Sequence, residues 1–194
     1  MTTQNNTNYE NANFTPLSKF MDEDQFWKII QTVNENSQEN SQGDYELQYE
    51  ELAKQLHTLT PDDIILFANR FMFFRGQANT WELWGAIYII QGGCDEDSFK
   101  IFREWVIGQG NDFYYKITKD PDTLAELETE FIETTAEFEG LSRIISKVFK
   151  EITNQDIPYT FQENLSIAGV KWDEEGDDLK NRFPKIYSKY PYNI

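Results

Sequence analysis

Apolar residues recur at intervals of three and four residues from about residue 22 to residue 153, a spacing typical of amphipathic helices. Capping residues indicate where the first three helices begin. Asp22 predicts the start of one helix, and a second is expected from near Asp44 to Thr60. The segment Thr60-Pro61-Asp62-Asp63 combines a cap, a proline and two acidic residues, and it predicts a third helix that reaches about Phe74.

The segment from Trp81 to Ile90 is apolar at nearly every position, which is typical of a helix that is buried on several sides. We expect Asn79 to cap this helix, with Glu82 at its third position. Gly85 inside the helix costs roughly 1 kcal/mol of helix propensity. A second helix that crosses at this point would explain the glycine, because a hydrogen atom replaces Cβ at the contact.

Four further helices complete the predicted architecture. One begins with the acidic turn after Gly92-Gly93 and ends around Gln109, and a short aromatic helix follows from Asp112 to Ile117. Asp120-Pro121-Asp122 predicts the next, up to Gly140, and Leu141 to about Thr153 forms the last. The predicted fold is therefore mainly α, a compact multi-helix bundle with non-parallel helix crossings and little or no β-structure.

The two ends of the chain are less regular than its middle. The first 18 residues contain five asparagines and no basic residue, and we expect no fixed structure there. Periodicity fades after about residue 157, where Ser166 to Trp172 is expected to form a short strand or an extended loop. Phe183 to Tyr187 is aromatic enough to pack back on the core. The predicted organisation is a tail over residues 1–18 and one helical domain over residues 19–194.

The charge of the chain excludes several kinds of partner. It has 34 acidic and 17 basic residues, which give a formal net charge of -17. Such a charge repels nucleic-acid phosphates and acidic membrane surfaces, so neither is expected as a partner. The asparagine-rich tail lacks the features of a signal peptide, and the longest apolar stretch is far shorter than the roughly 20 residues that span a bilayer. These features predict a cytoplasmic location.

The inventory of chemically reactive residues favours a binding protein over an enzyme. Cys94 is the only cysteine and His57 the only histidine, so disulfides, most zinc sites and histidine-based catalysis are hard to assemble. Sequence motifs of serine hydrolases, phosphate-binding loops, dinucleotide-binding folds and zinc proteases are absent from the chain. We therefore expect no cofactor and no metal.

The run W-E-L-W-G-A-I-Y-I-I-Q-G-G-C at residues 81–94 resembles a bacterial family known as domain of unknown function 4240, or DUF4240. Phe99, Phe102, Arg103, Trp105 and Gln109-Gly110 continue the resemblance, and so does the opening Met21-Asp22-Glu23-Asp24-Gln25-Phe26-Trp27. It covers roughly residues 21–125. The resemblance implies a compact, mainly helical bacterial domain, and it implies no catalytic residue.

Cys94 is the candidate catalytic nucleophile. It follows two glycines at a predicted helix start, where unpaired N–H groups and the helix dipole lower the pKa of a thiol. Asp95, Glu96 and Asp97 have the opposite effect, because three carboxylates beside the sulfur favour the neutral thiol. A packed or capping cysteine is the alternative to a nucleophilic or redox role.

A second candidate site surrounds Glu82, the only charged residue of the apolar helix. An ion pair with Arg75 or Arg103 is expected, because a buried carboxylate without a partner is costly. The same residues could instead bind a small polar ligand in an aromatic pocket. The candidate residues of this pocket are Arg75, Trp81, Glu82, Trp84, Tyr88, Arg103 and Trp105.

Two acidic groups are candidates for binding a partner. One is a predicted helical stripe and the other a turn-forming cluster; together they comprise Glu126, Glu130, Glu133, Glu137, Asp173, Glu174, Glu175, Asp177 and Asp178. They form either a solvated face or a docking surface for a basic protein.

Two functional hypotheses follow. The first is an acidic helical interaction protein, of the inhibitor or immunity type, that covers a basic surface of its partner. The alternative is a ligand-binding or catalytic domain that uses the aromatic pocket with Glu82, Arg103 and Cys94. The sequence leaves the oligomeric state open.

Overall fold

The computed structural model describes residues 18–38, 45–129, 132, 138–174 and 176–191, and this part is helical. The helices before residue 120 are α1 (Glu23–Gln38), α2 (Tyr45–His57), α3 (Pro61–Gln77), α4 (Trp81–Gln91), α5 (Glu96–Gly108) and α6 (Asn111–Lys119). A 3₁₀ helix (Pro121–Glu126) separates them from α7 (Leu141–Thr153), α8 (Asp178–Arg182) and α9 (Pro184–Lys189). The predicted fold class is confirmed. The predicted tail, apart from Ser18, lies outside the described residues.

The core lies where the apolar faces of these helices meet. Helix α3 packs against α5 and α7, α2 packs against α1 and α7, and the C-terminal helices pack on α4 and the 3₁₀ helix. Large side chains that are almost completely buried fill the core: Phe26, Phe67, Phe71, Phe99, Phe102, Trp105 and Phe149. No helix in the described part is long and apolar enough to cross a membrane.

The predicted caps of α1 and α3 are confirmed. The Asp22 carboxylate accepts a hydrogen bond from the backbone N–H of Gln25 at 3.1 Å, and the Thr60 hydroxyl accepts one from Asp63 N–H at 3.2 Å. Pro61 occupies the first turn of α3, where its missing N–H costs nothing. Both helices therefore begin where local chemistry satisfies their first N–H groups.

Replacing Thr60 by alanine is expected to lower the free energy of unfolding by about 1 kcal/mol, because the N–H of Asp63 loses its acceptor. Thr60→Ser, which keeps the hydroxyl, should remain within a few tenths of a kcal/mol of the original. Urea unfolding of both variants tests the cap. Equal stabilities of the alanine and serine variants would show that the cap contributes nothing.

The predicted cap of α4 is wrong by one residue. Thr80, in an extended conformation, accepts the hydrogen bond from Leu83 N–H at 3.1 Å. Asn79 is buried and is used elsewhere: its side-chain amide donates to the carbonyl of Leu165 and its own carbonyl accepts from Ala168 N–H. Asn79 therefore holds the C-terminal segment, and Thr80 caps the helix.

Gly85 is the point of close helix approach that its sequence context predicts. A Cβ atom at this position would lie 2.9 Å from the Phe183 ring and 3.2 Å from the Leu179 side chain. Leu179 belongs to α8, and Phe183 directly precedes α9. The C-terminal residues thus pack on α4, and the burial of Phe183 and Ile186 confirms that this part of the chain returns to the core.

The helix predicted from Asp120 to Gly140 is wrong over its first turns. The chain forms the 3₁₀ helix instead, and Leu127 then adopts an extended conformation. Asp122 explains the difference, because its carboxylate accepts hydrogen bonds from the N–H groups of Lys185 and Ile186, at 3.1 and 3.0 Å. Asp122 therefore caps α9, which follows it by some 60 residues, and not its own helix.

Residues 158–171, here called the strap, run over the bundle in an irregular, extended path. The strap forms one isolated bridge, between Thr80 and Ala168, so the loop alternative for Ser166 to Trp172 describes it best. Most strap residues are exposed. The strap connects α7 to Trp172 and the C-terminal helices. It also contributes residues to the two sites described below, the aromatic cluster on α4 and the buried charge cluster.

Candidate functional site

An aromatic cluster forms on the outer side of α4. Trp81 and Trp84 stack with their ring centres 5.3 Å apart, and Trp172, which follows the strap, contacts both rings edge-on at 5.1 and 5.9 Å. Tyr88 packs against Trp172 at 5.6 Å. The structure thus brings three predicted pocket residues together, but the buried Trp172 fills the space between them.

Trp105 lies apart from this cluster. Its indole N–H donates to the Tyr45 hydroxyl at 3.0 Å, and its ring contacts those of Phe102 and Phe113 in the core. The sequence placed Trp105 in the pocket because α5 follows α4 closely. The helical turn of α5 directs it to a different side of the helix from Phe99, whose ring stacks on Trp84.

Glu82 does not pair with either arginine that the sequence suggested. Its carboxylate lies against the strap at Gly169, where a Cβ atom would collide with its oxygens. Gly169 also has a φ of +86°, a conformation that favours glycine. In the part of the chain that the structure describes, no ion pair joins Glu82 to Arg75 or Arg103.

The two arginines form a buried charge cluster with two glutamates that the sequence did not suggest. Arg75 donates from Nε to Glu163 Oε2 at 3.0 Å and from a terminal nitrogen to Glu104. Arg103 lies 3.4 Å from Glu163 Oε1 and donates to the backbone carbonyl of Arg75 at 2.9 Å. The exposed fractions are 7% for Arg75, 5% for Arg103 and 1% for Glu104.

The pKa values of these arginines reflect the arrangement. Burial alone lowers the pKa of Arg75, but its hydrogen bond to Glu163 and the charge of Glu104 more than offset this and raise it. Burial lowers the pKa of Arg103, and the positive charge of Arg75 adds to that effect. Two positive and two negative side chains therefore compensate one another inside the fold.

Glu104 also connects the cluster to α7. Its carboxylate accepts a hydrogen bond from Ser142 N–H at 3.0 Å and another from the Ser142 hydroxyl at 2.8 Å. Gly140, the residue before α7, lies so close that a Cβ atom would be 2.8 Å from Glu104. Glu104 thus serves as the cap of a helix other than its own, and the cluster joins α3, α5, α7 and the strap.

The surroundings of Cys94 oppose nucleophilic chemistry. Burial, followed by the charge of Asp95, raises the pKa of the Cys94 thiol to about 12, although the nearby Trp84 indole lowers it slightly. The Trp84 N–H donates to the Cys94 carbonyl at 2.9 Å. His57, the only histidine, lies 3.3 Å from the Glu151 carboxylate, which orients its imidazole in place of the Cys94 thiol. The thiol is accordingly neutral at physiological pH.

A thiol reagent should modify native Cys94 at pH 8 more than about tenfold more slowly than a free cysteine, because the thiolate is the reactive species. The rate should continue to rise above pH 10, where the rate for a free cysteine levels off. Absorbance after addition of an aromatic disulfide reagent gives the rate, with the guanidinium-unfolded protein as the control. A native rate equal to or above that of the unfolded protein would contradict the raised pKa.

Of the predicted acidic stripe, the structure describes only Glu126. Glu126 lies on the 3₁₀ helix and forms ion pairs with Lys116 at 2.7 Å and Lys185 at 3.8 Å. Hydrogen bonding to Lys116 lowers the pKa of Glu126. The stripe residues Glu130, Glu133 and Glu137 lie outside the described residues, as does Glu175.

The C-terminal acidic cluster is partly paired. Asp178 forms an ion pair with Arg182 at 3.0 Å, which lowers its pKa, and Asp177 lies 3.8 Å from Lys180. Asp173 and Glu174 are exposed. Among the described side chains, no group of three or more histidine, cysteine or acidic residues could hold a metal ion.

A further acidic segment lies beside the aromatic cluster. It was not among the candidate surfaces predicted from the sequence. Asp95, Glu96 and Asp97 are exposed; Glu96 and Asp97 lie in the first turn of α5, and the carboxylate of the preceding Asp95 caps the helix at Ser98 N–H. The hydrogen bond from Trp84 to the Cys94 carbonyl fixes this turn against the cluster. The run of three acidic residues at positions 95–97 was the sequence signal that could have identified this segment as a candidate surface.

The profile of one protein family matches residues 21–151, more than half of the chain, and its description reads "Protein of unknown function (DUF4240)". The predicted resemblance to this family is confirmed, and the match extends beyond residue 125 into α7. The strap, Trp172 and the C-terminal helices follow the matched region. Neither the curated proteins nor the solved structures include a significant match.

Proposed function

The chain belongs to the DUF4240 family of proteins of unknown function, and we propose that it is an acidic interaction domain whose partner is a basic protein. The observation that supports this most directly is the placement of two acidic segments around one aromatic cluster. We call this surface the acidic face; it consists of Trp81, Trp84, Tyr88, Asp95, Glu96, Asp97, Asp173, Glu174 and Asp177.

Contacts between aromatic rings hold the two acidic segments near one another. The Trp84 indole N–H donates a hydrogen bond to the carbonyl of Cys94, the residue before Asp95–Asp97. Trp172 directly precedes Asp173. The rings of Trp84 and Trp172 are 5.9 Å apart. Exposed carboxylates therefore lie on both sides of the cluster, and their fields add in the direction of an approaching cation.

The acidic face also offers apolar area to a partner. Trp81, Trp84 and Tyr88 are only partly buried, and Val170 at the end of the strap is 68% exposed. Aromatic residues surrounded by charged ones are a composition typical of protein interfaces. The partner that fits is a lysine- or arginine-rich surface with an apolar side chain at its centre, as an inhibitor or immunity-type protein would cover.

The acidic face favours this role over the aromatic-pocket alternative. Trp172 occupies the centre of the cluster, the Cys94 thiol is neutral, and Arg103 pairs with Glu163 and not with Glu82. The groups that a ligand-binding or catalytic site would need are thus separated. A basic partner needs only the exposed carboxylates and the partly exposed rings, of which Trp81 has the Lys171 ammonium group 5.6 Å from its ring centre.

Two matched variants test the role of the face. Glu96→Gln/Asp97→Asn neutralises two carboxylates of the acidic face, and Glu46→Gln/Glu50→Gln neutralises two exposed carboxylates of α2. Both variants change the net charge by the same amount, and both alter an acidic first turn of a helix. Immobilised proteins are incubated with lysate of the source organism at low salt, and the protein captured by the original chain is then purified.

For that purified protein, we expect calorimetry to show about tenfold weaker binding to Glu96→Gln/Asp97→Asn and unchanged binding to Glu46→Gln/Glu50→Gln. The affinity should also fall as salt rises, because the interacting charges are exposed. Equal loss in both variants would indicate attraction by net charge alone. No loss in either, or no basic protein captured, would contradict the proposal.

A further inference from the structure

A cleft between α3, α5 and α7 differs in charge from the rest of this acidic chain. Its lining includes the cationic side chains Arg75, Lys100 and Arg143 and the hydroxyl groups of Ser142, Ser146 and Tyr159, and it includes no carboxylate residue. Its volume is about 290 Å³. We propose that this cleft binds a small organic acid, with the carboxylate at Lys100 and an apolar body against the apolar residues of the lining.

Lys100 supplies the uncompensated positive charge of the cleft. It is exposed, and within the described ranges its ammonium group takes part in no ion pair or hydrogen bond. The charge of Arg75 is offset by Glu104 and Glu163, which also hold its guanidinium in place. A ligand carboxylate would thus meet one free cation beside a fixed polar wall.

Arg143 lines both this cleft and a neighbouring groove between α2 and α7. Its guanidinium forms an ion pair with Glu139 at 2.5 Å and lies 5.7 Å from the centre of the Tyr49 ring, on the side of α2. Arg143 lines the cleft, but because its guanidinium is paired with Glu139 we assign it no contact with the ligand. The proposal therefore rests on Lys100 as the anion-binding residue.

Tyr159 at the start of the strap provides a second donor. Its hydroxyl lies 2.9 Å from the Ser146 hydroxyl, which already donates to the Ser142 carbonyl at 3.0 Å. The Tyr159 ring is 45% exposed, so its O–H is free to turn from Ser146 toward a bound anion. A lysine and a phenol thus line the same cleft.

The remaining lining of the cleft is apolar. It consists of Ala68, Phe71 and Met72 of α3 and Ile145 of α7, here called its floor. Ligand sites commonly combine such a floor with a few polar groups that fix orientation. The volume lies at the lower end of the range for such sites, so the ligand is small, and the floor favours an organic acid over an inorganic anion.

Three probes separate the two halves of the proposal. Phenylacetate carries both charge and ring, phenylacetamide carries the ring without the charge, and inorganic phosphate carries the charge without the ring. Each is titrated into the full-length protein and followed by calorimetry. We expect phenylacetate to bind about tenfold more tightly than either of the other two, because only phenylacetate can contact both Lys100 and the apolar residues of the cleft.

Matched lysine variants then locate the site. Lys100→Met should weaken phenylacetate binding about tenfold, since a charge-assisted hydrogen bond is lost. Lys147→Met removes an equally positive side chain from the next groove, on the α2 side of α7, and should leave the affinity within about twofold. Both lysines are exposed, so neither variant removes a core contact, and thermal unfolding of each checks this.

Each contrary result would overturn the proposal. Failure of phenylacetate to bind would exclude the site, and equal binding of phenylacetamide would show an apolar cavity without anion recognition. Equal binding of phosphate would show a site that attracts charge only. Equal effects of Lys100→Met and Lys147→Met would place the bound probe elsewhere. None of these results depends on the acidic face, so the two proposals succeed or fail independently.

Discussion

Replacing Glu163 by alanine is expected to lower the free energy of unfolding by about 3–5 kcal/mol. The Glu163 side chain is 6% exposed and pairs with both Arg75 and Arg103. Without it, two buried guanidinium groups would retain only Glu104 as a neutralising carboxylate. An uncompensated buried charge is among the most costly changes in a protein core. Urea unfolding monitored by tryptophan fluorescence measures the effect.

Glu151→Ala is the matched control for Glu163→Ala. Glu151 also pairs with two side chains, His57 at 3.3 Å and Lys147 at 3.9 Å, but these groups are exposed. Its loss should change stability by less than about 1 kcal/mol, because water replaces the partner. If Glu163→Ala were equally mild, the arginines would have to reach water or another acceptor, and the buried cluster would not stabilise the fold.

Local chemistry explains which parts of the fold could be predicted from the sequence. The caps at Asp22 and Thr60 satisfy N–H groups only three residues away, and the apolar stripe from Leu141 to Thr153 lies on a single helix. Signals of this kind are complete within a short window of sequence. The aromatic residues of α4 and the close approach at Gly85 were found in the same way.

Long-range pairing explains what could not be predicted. The segment Asp120-Pro121-Asp122 has the sequence context of a helix start, yet the N–H groups that Asp122 satisfies belong to Lys185 and Ile186. Glu82 was expected to pair with Arg75 or Arg103, its near neighbours, yet both arginines pair with Glu163, and Arg75 also pairs with Glu104. Many carboxylates in this acidic chain could satisfy an arginine, so only the path of the chain decides which one does.

The same reason applies to the candidate site. The W-E-L-W-G run located three of the aromatic residues, but nothing near it in sequence indicates that Trp172 would fill the space between them. The acidic face exists because the strap brings Trp172 back to α4, with Thr80 and Ala168 paired at the crossing. The site is therefore a product of the C-terminal part of the chain, which lies beyond the matched family region.

Replacing Phe183 by alanine should lower the free energy of unfolding by about 3–5 kcal/mol, since a buried aromatic ring leaves a cavity. The ring packs directly over Gly85, with Cε2 2.9 Å from the position where a Cβ would stand. It is one of the contacts that join the C-terminal helices to the apolar helix α4, together with Leu179. Calorimetric or urea unfolding gives the loss, and a loss below about 1 kcal/mol would show that this packing contributes little.

The contact between Gly85 and Phe183 also predicts a coupling between two substitutions. Gly85→Val alone should cost about 1–3 kcal/mol, because its side chain overpacks against the Phe183 ring and Leu179. In the Phe183→Ala background the ring is gone, so the same valine partly fills the cavity and the combined loss should be smaller than the sum by more than about 1 kcal/mol.

Leu56→Ala supplies the control for this cycle, because Leu56 is fully buried on α2, which packs against α1 and α7. Gly85→Val and Leu56→Ala should add to within about 0.5 kcal/mol, as expected for substitutions without a shared contact. If Gly85→Val added to Phe183→Ala in the same simple way, the C-terminal helices would not rest on α4 in solution. The acidic face would then lose its support as well, because Trp172 reaches Trp84 only while that part of the chain is packed.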